Sequence, residues 1–228
     1  ALDSQFLHLL WNSLSLALMA SLICLLLALF LGYGKRRYPG AVQTGAVRIA
    51  AMGYAVPGTV IAVGVLIPFG ALDNQLDALS QTLFGVSTGL LLSGTLVALI
   101  FAYVVRFLSV SLQTVESGLS RIKPSLDEAA RSMGSSNERV LRDIHLPLLR
   151  GSLLTALLLV FVDVLKELPT TLILRPFNFN TLAVRTFELA SDERLADAAL
   201  PALAIVIIGL LPVILLTRNL DKGAASHA

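Results

Sequence analysis

Pro124-Ser-Leu-Asp-Glu-Ala-Ala-Arg-Ser-Met-Gly134, continuing as Ser135-Ser-Asn-Glu-Arg-Val-Leu-Arg-Asp-Ile144-His-Leu-Pro147, is a polar, arginine-rich stretch held between two strongly apolar runs. Ser125 and Glu128 have the spacing of a capping box, in which hydroxyl and carboxylate each satisfy a free amide at a helix start. Gly134 is suited to end that helix, because glycine adopts the left-handed backbone of a helix C-terminus at little cost. Ser135 and Glu138 repeat the box. Pro147 disfavours helical geometry in the residue before it, so the second helix is expected to stop there. The stretch therefore predicts two short helices and a tight turn. Leu126, Ala129, Ala130 and Met133 share one face of the first, and Val140, Leu141 and Ile144 form a stripe on the second. Arg131, Arg139, Arg142 and Asp143 occupy the opposite faces, so the apolar stripes require cover from the rest of the chain or from a partner.

The flanking runs are long enough to cross a bilayer. Hydrophobic residues make up 56% of the 228 positions and charged residues 14%, a composition too apolar for a water-exposed globule. Five spans are expected, at roughly Leu9 to Leu31, Ala46 to Phe69, Thr88 to Phe107, Ser152 to Leu174 with a break near Pro169, and Leu200 to Leu216. They are helices, because the backbone must satisfy its own hydrogen bonds in lipid. The expected fold is an all-α polytopic bundle, a single transmembrane domain over 1–228 with a protruding loop at 113–150.

Cations orient the bundle. Lys35, Arg36, Arg37, Arg48, Arg121, Lys123, Arg131, Arg139, Arg142, Arg150, Arg218 and Lys222 fall on one side of the alternation, against Arg175, Arg185 and Arg194 on the other. The excess side is cytosolic, which puts the polar stretch and the C-terminus inside and the N-terminus outside. Arg106, read as near the inner end of the third span, is expected to snorkel to that surface. The net charge of +2 discriminates little. An outside N-terminus beginning Ala1-Leu-Asp-Ser-Gln, without an initiating methionine or a signal peptide, predicts that the chain is the C-terminal half of a longer protein.

Glu128-Ala129-Ala130, three residues, Gly134, nine residues, Ile144, one residue, Leu146-Pro147 resembles the EAA loop of ABC importer permeases, and every fixed position of that pattern is matched. The resemblance implies a type I importer permease fold. It also implies that Glu128, Ala129, Ala130, Gly134, Ile144, Leu146 and Pro147 form a coupling loop seated in the cleft of a separate cytosolic ATPase dimer. Lys166-Glu-Leu-Pro-Thr-Thr-Leu-Ile-Leu-Arg175, running on to Leu195, is similar to the iron(III) branch of these permeases and implies a short outer helix at Leu182 to Leu189, beneath a periplasmic or extracellular binding protein. Other branches of the family carry thiamine, polyamines, molybdate, sulfate or phosphonates. The implied setting is the bacterial inner membrane, with a second permease half or subunit alongside and no nucleic-acid partner. ATP and magnesium are expected on the ATPase, and no cofactor on this chain.

Within the spans, Pro57 and Gly58, in a run from Gly53 to Gly64 and on to Pro68, predict a kinked helix bending around a pathway. Asp163, Lys166 and Glu167 lie in the fourth span, where each unpaired charge costs on the order of 2.5 to 3.5 kcal/mol. Asp163 and Lys166 are spaced as an i, i+3 pair, and Glu167 stands a turn beyond Asp163. They either lock this helix to its neighbours or line and gate a polar route.

Enzymatic chemistry finds no support. G-x-x-x-x-G-K-[ST] and H-E-x-x-H are missing, so the chain is expected to serve transport without an ATPase site of its own. His8, His145 and His227 are scattered, and Cys24 is alone, so no metal-ligand spacing occurs. A hard ferric cargo would prefer the carboxylates Asp163 and Glu167, though Lys166 beside them argues against a tight site and suits a conduit. The alternative from another class is an ion-coupled carrier using Asp163, Lys166 and Glu167 as a relay; that reading leaves the polar hairpin without a role.

Overall fold

The computed structural model describes residues 4–225, and side chains over that range except at Leu211 and 215–225. The side chains of Arg218, Lys222 and His227, counted above, lie outside the description. The described residues are helical throughout the ordered elements, and five helices are long and apolar enough to cross a membrane.

Helix α1 (Ser4–Arg37) extends beyond the expected first span, its last turn carrying Lys35, Arg36 and Arg37, cations that complement the carbonyl end of a helix. The expected second span at Ala46 to Phe69 is corrected. α2 (Ala41–Ala50) ends early, a 3-10 turn follows at Gly53–Ala55, and α3 (Gly58–Phe84) begins only after Pro57. Pro57 forces Val56 into extended geometry (ψ 131°), which a helix cannot pass through. Pro68 is accommodated inside α3.

The third span, α4 (Leu96–Ser120), starts later than Thr88. Asp73 and Asp77 explain the delay. Asp73 accepts from the backbone N–H groups of Leu91, Leu92 and Ser93 at 2.7–3.1 Å. Asp77 accepts from the N–H groups of Thr88 and Gly89 and from the Ser87 hydroxyl. Those backbone groups are thus committed to α3, and helix can start only at the Thr95 cap, whose hydroxyl accepts from Val97 N–H.

Beyond α4, a short helix α5 (Pro124–Ser132) precedes one long rod. α6 (Asn137–Val140), a π-turn at Leu141–His145 and α7 (Leu146–Leu165) are continuous. The chain breaks at 166–168, resumes as α8 (Pro169–Leu174) and α9 (Leu182–Ser191), and finishes with α10 (Leu195–Ala225). The fourth span thus breaks just before Pro169 and ends at Leu174 as expected, although its helix starts well ahead of Ser152, and the fifth begins at Leu195 rather than Leu200. The short outer helix matches the expected Leu182 to Leu189.

α1, α4 and α7 form the centre, with α3 on α4 and α8, and α10 on α7 and α9. Small residues of α1, namely Ala17, Ala20, Cys24 and Ala28, are all fully buried. Their spacing lets α4 and α7 approach closely, the usual means of association where lipid removes the hydrophobic drive. Large side chains instead point outward: Phe30, Ile67, Leu203 and Ile207 are exposed, as a lipid-facing surface requires. At the outer end, Ser13 Oγ accepts from Leu182 N–H at 2.8 Å and Asn12 donates to Asn180 O at 3.1 Å, tying α9 to α1.

Candidate functional site

The cation-rich end carries the hairpin. Pro124 takes the first helical position of α5, so Lys123 becomes the N-cap and no side chain caps the start. The Ser125–Glu128 box is therefore corrected: Pro124 has no N–H to satisfy and pre-sets the backbone one residue earlier. The second box is likewise corrected to a single cap, since Ser136, not Ser135, accepts from Arg139 N–H and the third helical residue is then Arg139 rather than Glu138. Gly134 does take the left-handed geometry (φ 80°). Ser135 N–H bonds Ala130 O across it at 3.0 Å, closing the helix as a Schellman turn.

Pro147 does not end the second helix. It can neither donate to the carbonyl at 143 nor tolerate it close to its ring. The wide turn, in which Leu146 N–H reaches Leu141 O, opens the ladder just ahead of it and lets the helix continue. Ile144, Leu146 and Pro147 are thus the root of a span, whereas Glu128, Ala129, Ala130 and Gly134 belong to the protruding hairpin.

Burial of α5 divides the expected apolar face. Ala130 and Asp127 face the bundle, while Leu126 is 44% exposed, Met133 79% exposed, and Glu128 and Ala129 open to solvent. The bundle leaves this apolar face uncovered. What it grips is Asp127. Arg36 donates to Asp127 Oδ2 at 3.1 Å, and His145 Nε2 lies 2.6 Å from Oδ1. Arg36 also donates to the carbonyls of Leu119 (2.6 Å) and Ile122 (3.0 Å). Burial alone would raise the Asp127 carboxyl; the bond and charge of His145, with Arg36, outweigh it and hold the group below the ordinary carboxylate range. Tyr33 adds an edge-on ring contact to His145 and donates to Asn137 O at 3.2 Å.

A second polar cluster lies where the backbone is broken in mid-bundle. Asp163 pairs with Lys166 at 3.0 Å, as the spacing predicts. Glu167 turns away to Arg106, whose Nε is 3.5 Å from its Oε2. Arg106 therefore does not snorkel: α4 begins at Leu96 rather than Thr88 and runs on to Ser120 rather than Phe107, which places it mid-helix. Its Nη1 donates to Val56 O at 3.4 Å. Thr170 donates its N–H to Glu167 Oε1 at 3.2 Å, and its hydroxyl lies 2.7 Å from that oxygen and 3.3 Å from Gly58 O. Thr171 donates to Glu167 O and meets the Tyr103 hydroxyl. A Cβ on Gly58 would fall 2.5 Å from Arg106 Nη1 and 2.8 Å from Glu167 Oε1, so the close approach requires glycine. Gly58, directly after Pro57, thus meets Glu167, and Asp163 with Lys166 forms a separate pair. Irregular backbone is tolerated at membrane depth only where protein or a cavity covers it; here Arg106 and Glu167 cover both breaks. Among the described residues no three His, Cys, Asp or Glu side chains converge.

Sequence reasoning missed Arg36, Asp127 and His145 as a unit, and misplaced Arg106. A lone arginine amid an apolar run was the available signal for the latter.

Residues 11–225 match the family described as binding-protein-dependent transport system inner membrane component. The chain is 28% identical over 219 residues to the Fe(3+)-transport system permease protein FbpB 2 of Haemophilus influenzae, covering 96% of this chain and 40% of that protein. It is equally, 28%, identical over 206 residues to a Salmonella typhimurium protein named as a 2-aminoethylphosphonate transport system permease, PhnV, covering 90% and 72%. The chain thus spans less than half the length of the Haemophilus relative. Among solved structures, it superposes on a chain of a bacterial ABC transporter involved in alginate import with a TM-score of 0.76 at 15% identity, covering 96% of this chain and 80% of that one. For the inward-facing MetNI methionine ABC transporter the values are 0.69 and 18%, covering 96% and 98%.

Proposed function

Because this chain belongs to the family of binding-protein-dependent transport system inner membrane components, we propose that it forms half of the translocation pathway of an ATP-driven importer. Its fold is that of type I ABC importer permeases, and it is a multi-pass permease subunit. The partners that complete it are a second permease half or subunit, a cytosolic ATPase dimer carrying ATP and magnesium, and an external binding protein; the setting is the bacterial inner membrane.

The observation that carries the reading is the uncovered face of α5. Leu126, Ala129 and Met133, with Glu128 beside them, are exposed at the cation-rich end, while the buried side of the same helix is bonded to α1 and to the π-turn. An apolar patch presented on a fastened helix suits a docking partner. The ATPase occupies it, and closure of its two subunits swings the attached helices as rigid bodies to open the pathway outward. Arg106, Glu167 and Gly58, with Asp163 and Lys166 nearby, form the gate at the mid-bundle break.

Ferric iron is the proposed cargo, supported by the FbpB relative and by the Lys166 to Leu195 segment; the PhnV likeness makes a phosphonate the second candidate. The test is uptake into vesicles bearing the complete complex, offered ferric iron, 2-aminoethylphosphonate, thiamine or a polyamine. ATP-dependent iron uptake is the expected result. Phosphonate uptake alone would reassign the cargo, and uptake driven by an ion gradient without ATP would replace the importer with a carrier.

A further inference from the structure

We infer that Asp127 is the mechanical joint of this subunit, a positioning residue that makes the α5 hairpin ride with the bundle when a partner moves it. The inference rests on the importer reading above and adds the residues through which displacement is transmitted.

Three elements meet at one carboxylate, and a fourth at the arginine that holds it. Arg36, in the last turn of α1, reaches Asp127 on α5 and the carbonyls of Leu119 and Ile122 at the end of α4. His145, 1% exposed in the π-turn, holds the other oxygen. α5 has little else to hold it, since Ala130 is the other residue it buries. A helix with an exposed apolar face and a single polar anchor would swivel about its two connections if that anchor were absent. The anchor connects it to α1, α4 and α7, the three helices that form the centre of the bundle. A partner pulling on Glu128 and Met133 therefore pulls on the whole core through Asp127. The charge is suited to this, because a buried carboxylate held by two cationic or hydrogen-bonding groups is directional and costly to part.

The test is performed on the complete complex in membranes, with Cys24 replaced by alanine. Spin labels are placed at Met133→Cys and at Trp11→Cys, both exposed, the latter 25 residues before Arg36, about 37 Å along α1. Distances are compared without nucleotide and after ATP–vanadate trapping. With Asp127 intact, the distance stays the same in both states. In Asp127→Ala it is close to the intact value without nucleotide and shifts and broadens when ATP is trapped. Asp127→Asn, which keeps one carbonyl oxygen for Arg36 and loses the charge, restores the intact behaviour in part, and Arg36→Lys, which loses the fork onto the α4 carbonyls, resembles Asp127→Ala. Uptake per ATP hydrolysed falls about 3- to 30-fold in the alanine variant.

An Asp127→Ala distance that is invariant to nucleotide overturns the inference. So does a distance equally broad in both states, which marks a folding contact only, or a nucleotide-dependent distance with Asp127 intact. If Asp127→Ala fails to insert, the asparagine and Arg36→Lys variants decide by the same criteria. Cross-linking of Met133→Cys to the ATPase separates the two levels: its absence with Asp127 intact sinks the importer reading, whereas its presence with an unaffected alanine variant sinks the joint alone.

Discussion

Gly134 closes α5 with φ 80°, and nothing lies within 4 Å of where its Cβ would be. The demand at this position is therefore purely one of backbone. Gly134→Val is expected to cost about 1 to 2 kcal/mol or more in that turn and to lower uptake per ATP hydrolysed, while insertion, followed by membrane fractionation, is unchanged. Gly134→Asn, which tolerates the left-handed region, should retain most coupling. Asp127 gives a pH prediction with a definite sign. Its folded carboxyl titrates below the ordinary value of about 3.8, so its contribution is complete above that value and is lost as pH falls through the lowered one. Protease cleavage of the hairpin should stay slow at neutral pH and rise only in that acid range; Asp127→Asn should abolish the acid-dependent rise.

At the scale of elements, much was legible and the misreadings share a cause. Hydropathy located five spans because lipid demands apolar length, but it does not mark where a helix passes beyond the membrane. The third span slipped because residues 88–95 are apolar enough to look helical, while their amides are committed to Asp73 and Asp77, contacts that span up to 20 residues of sequence. Arg106 was misplaced along with that boundary. Its partner Glu167 was recognised as a charge needing compensation, yet the pairing joins two helix breaks and has no local signature. Removing one member should leave the other buried and unpaired: Arg106→Gln or Glu167→Gln alone is expected to cost about 3 to 5 kcal/mol. The double variant should cost less than the sum, read from thermal unfolding of the detergent-purified complex. Additive losses would show that the two act independently.

For the whole molecule, sidedness is the property on which the other readings hang. Met133 and Phe177, 94% exposed, lie on the hairpin and on the loop between α8 and α9. With Cys24 removed, Met133→Cys should react with a membrane-impermeant maleimide only in inverted vesicles, and Phe177→Cys only in right-side-out cells; reversed labelling would invert the protein and remove any access of the hairpin to ATP. The wide turn at Leu141–His145 bears on the same geometry. An α-helix advances about 100° per residue, and the turn absorbs one residue more than that pitch allows, so the rod on either side of it keeps its azimuth. A residue inserted into α7 just beyond it, with no such slack to take it up, would turn α6 by about 100° against the bundle and part His145 from Asp127. Hydropathy and every span would look the same on paper, yet the hairpin would have lost its hold on the core.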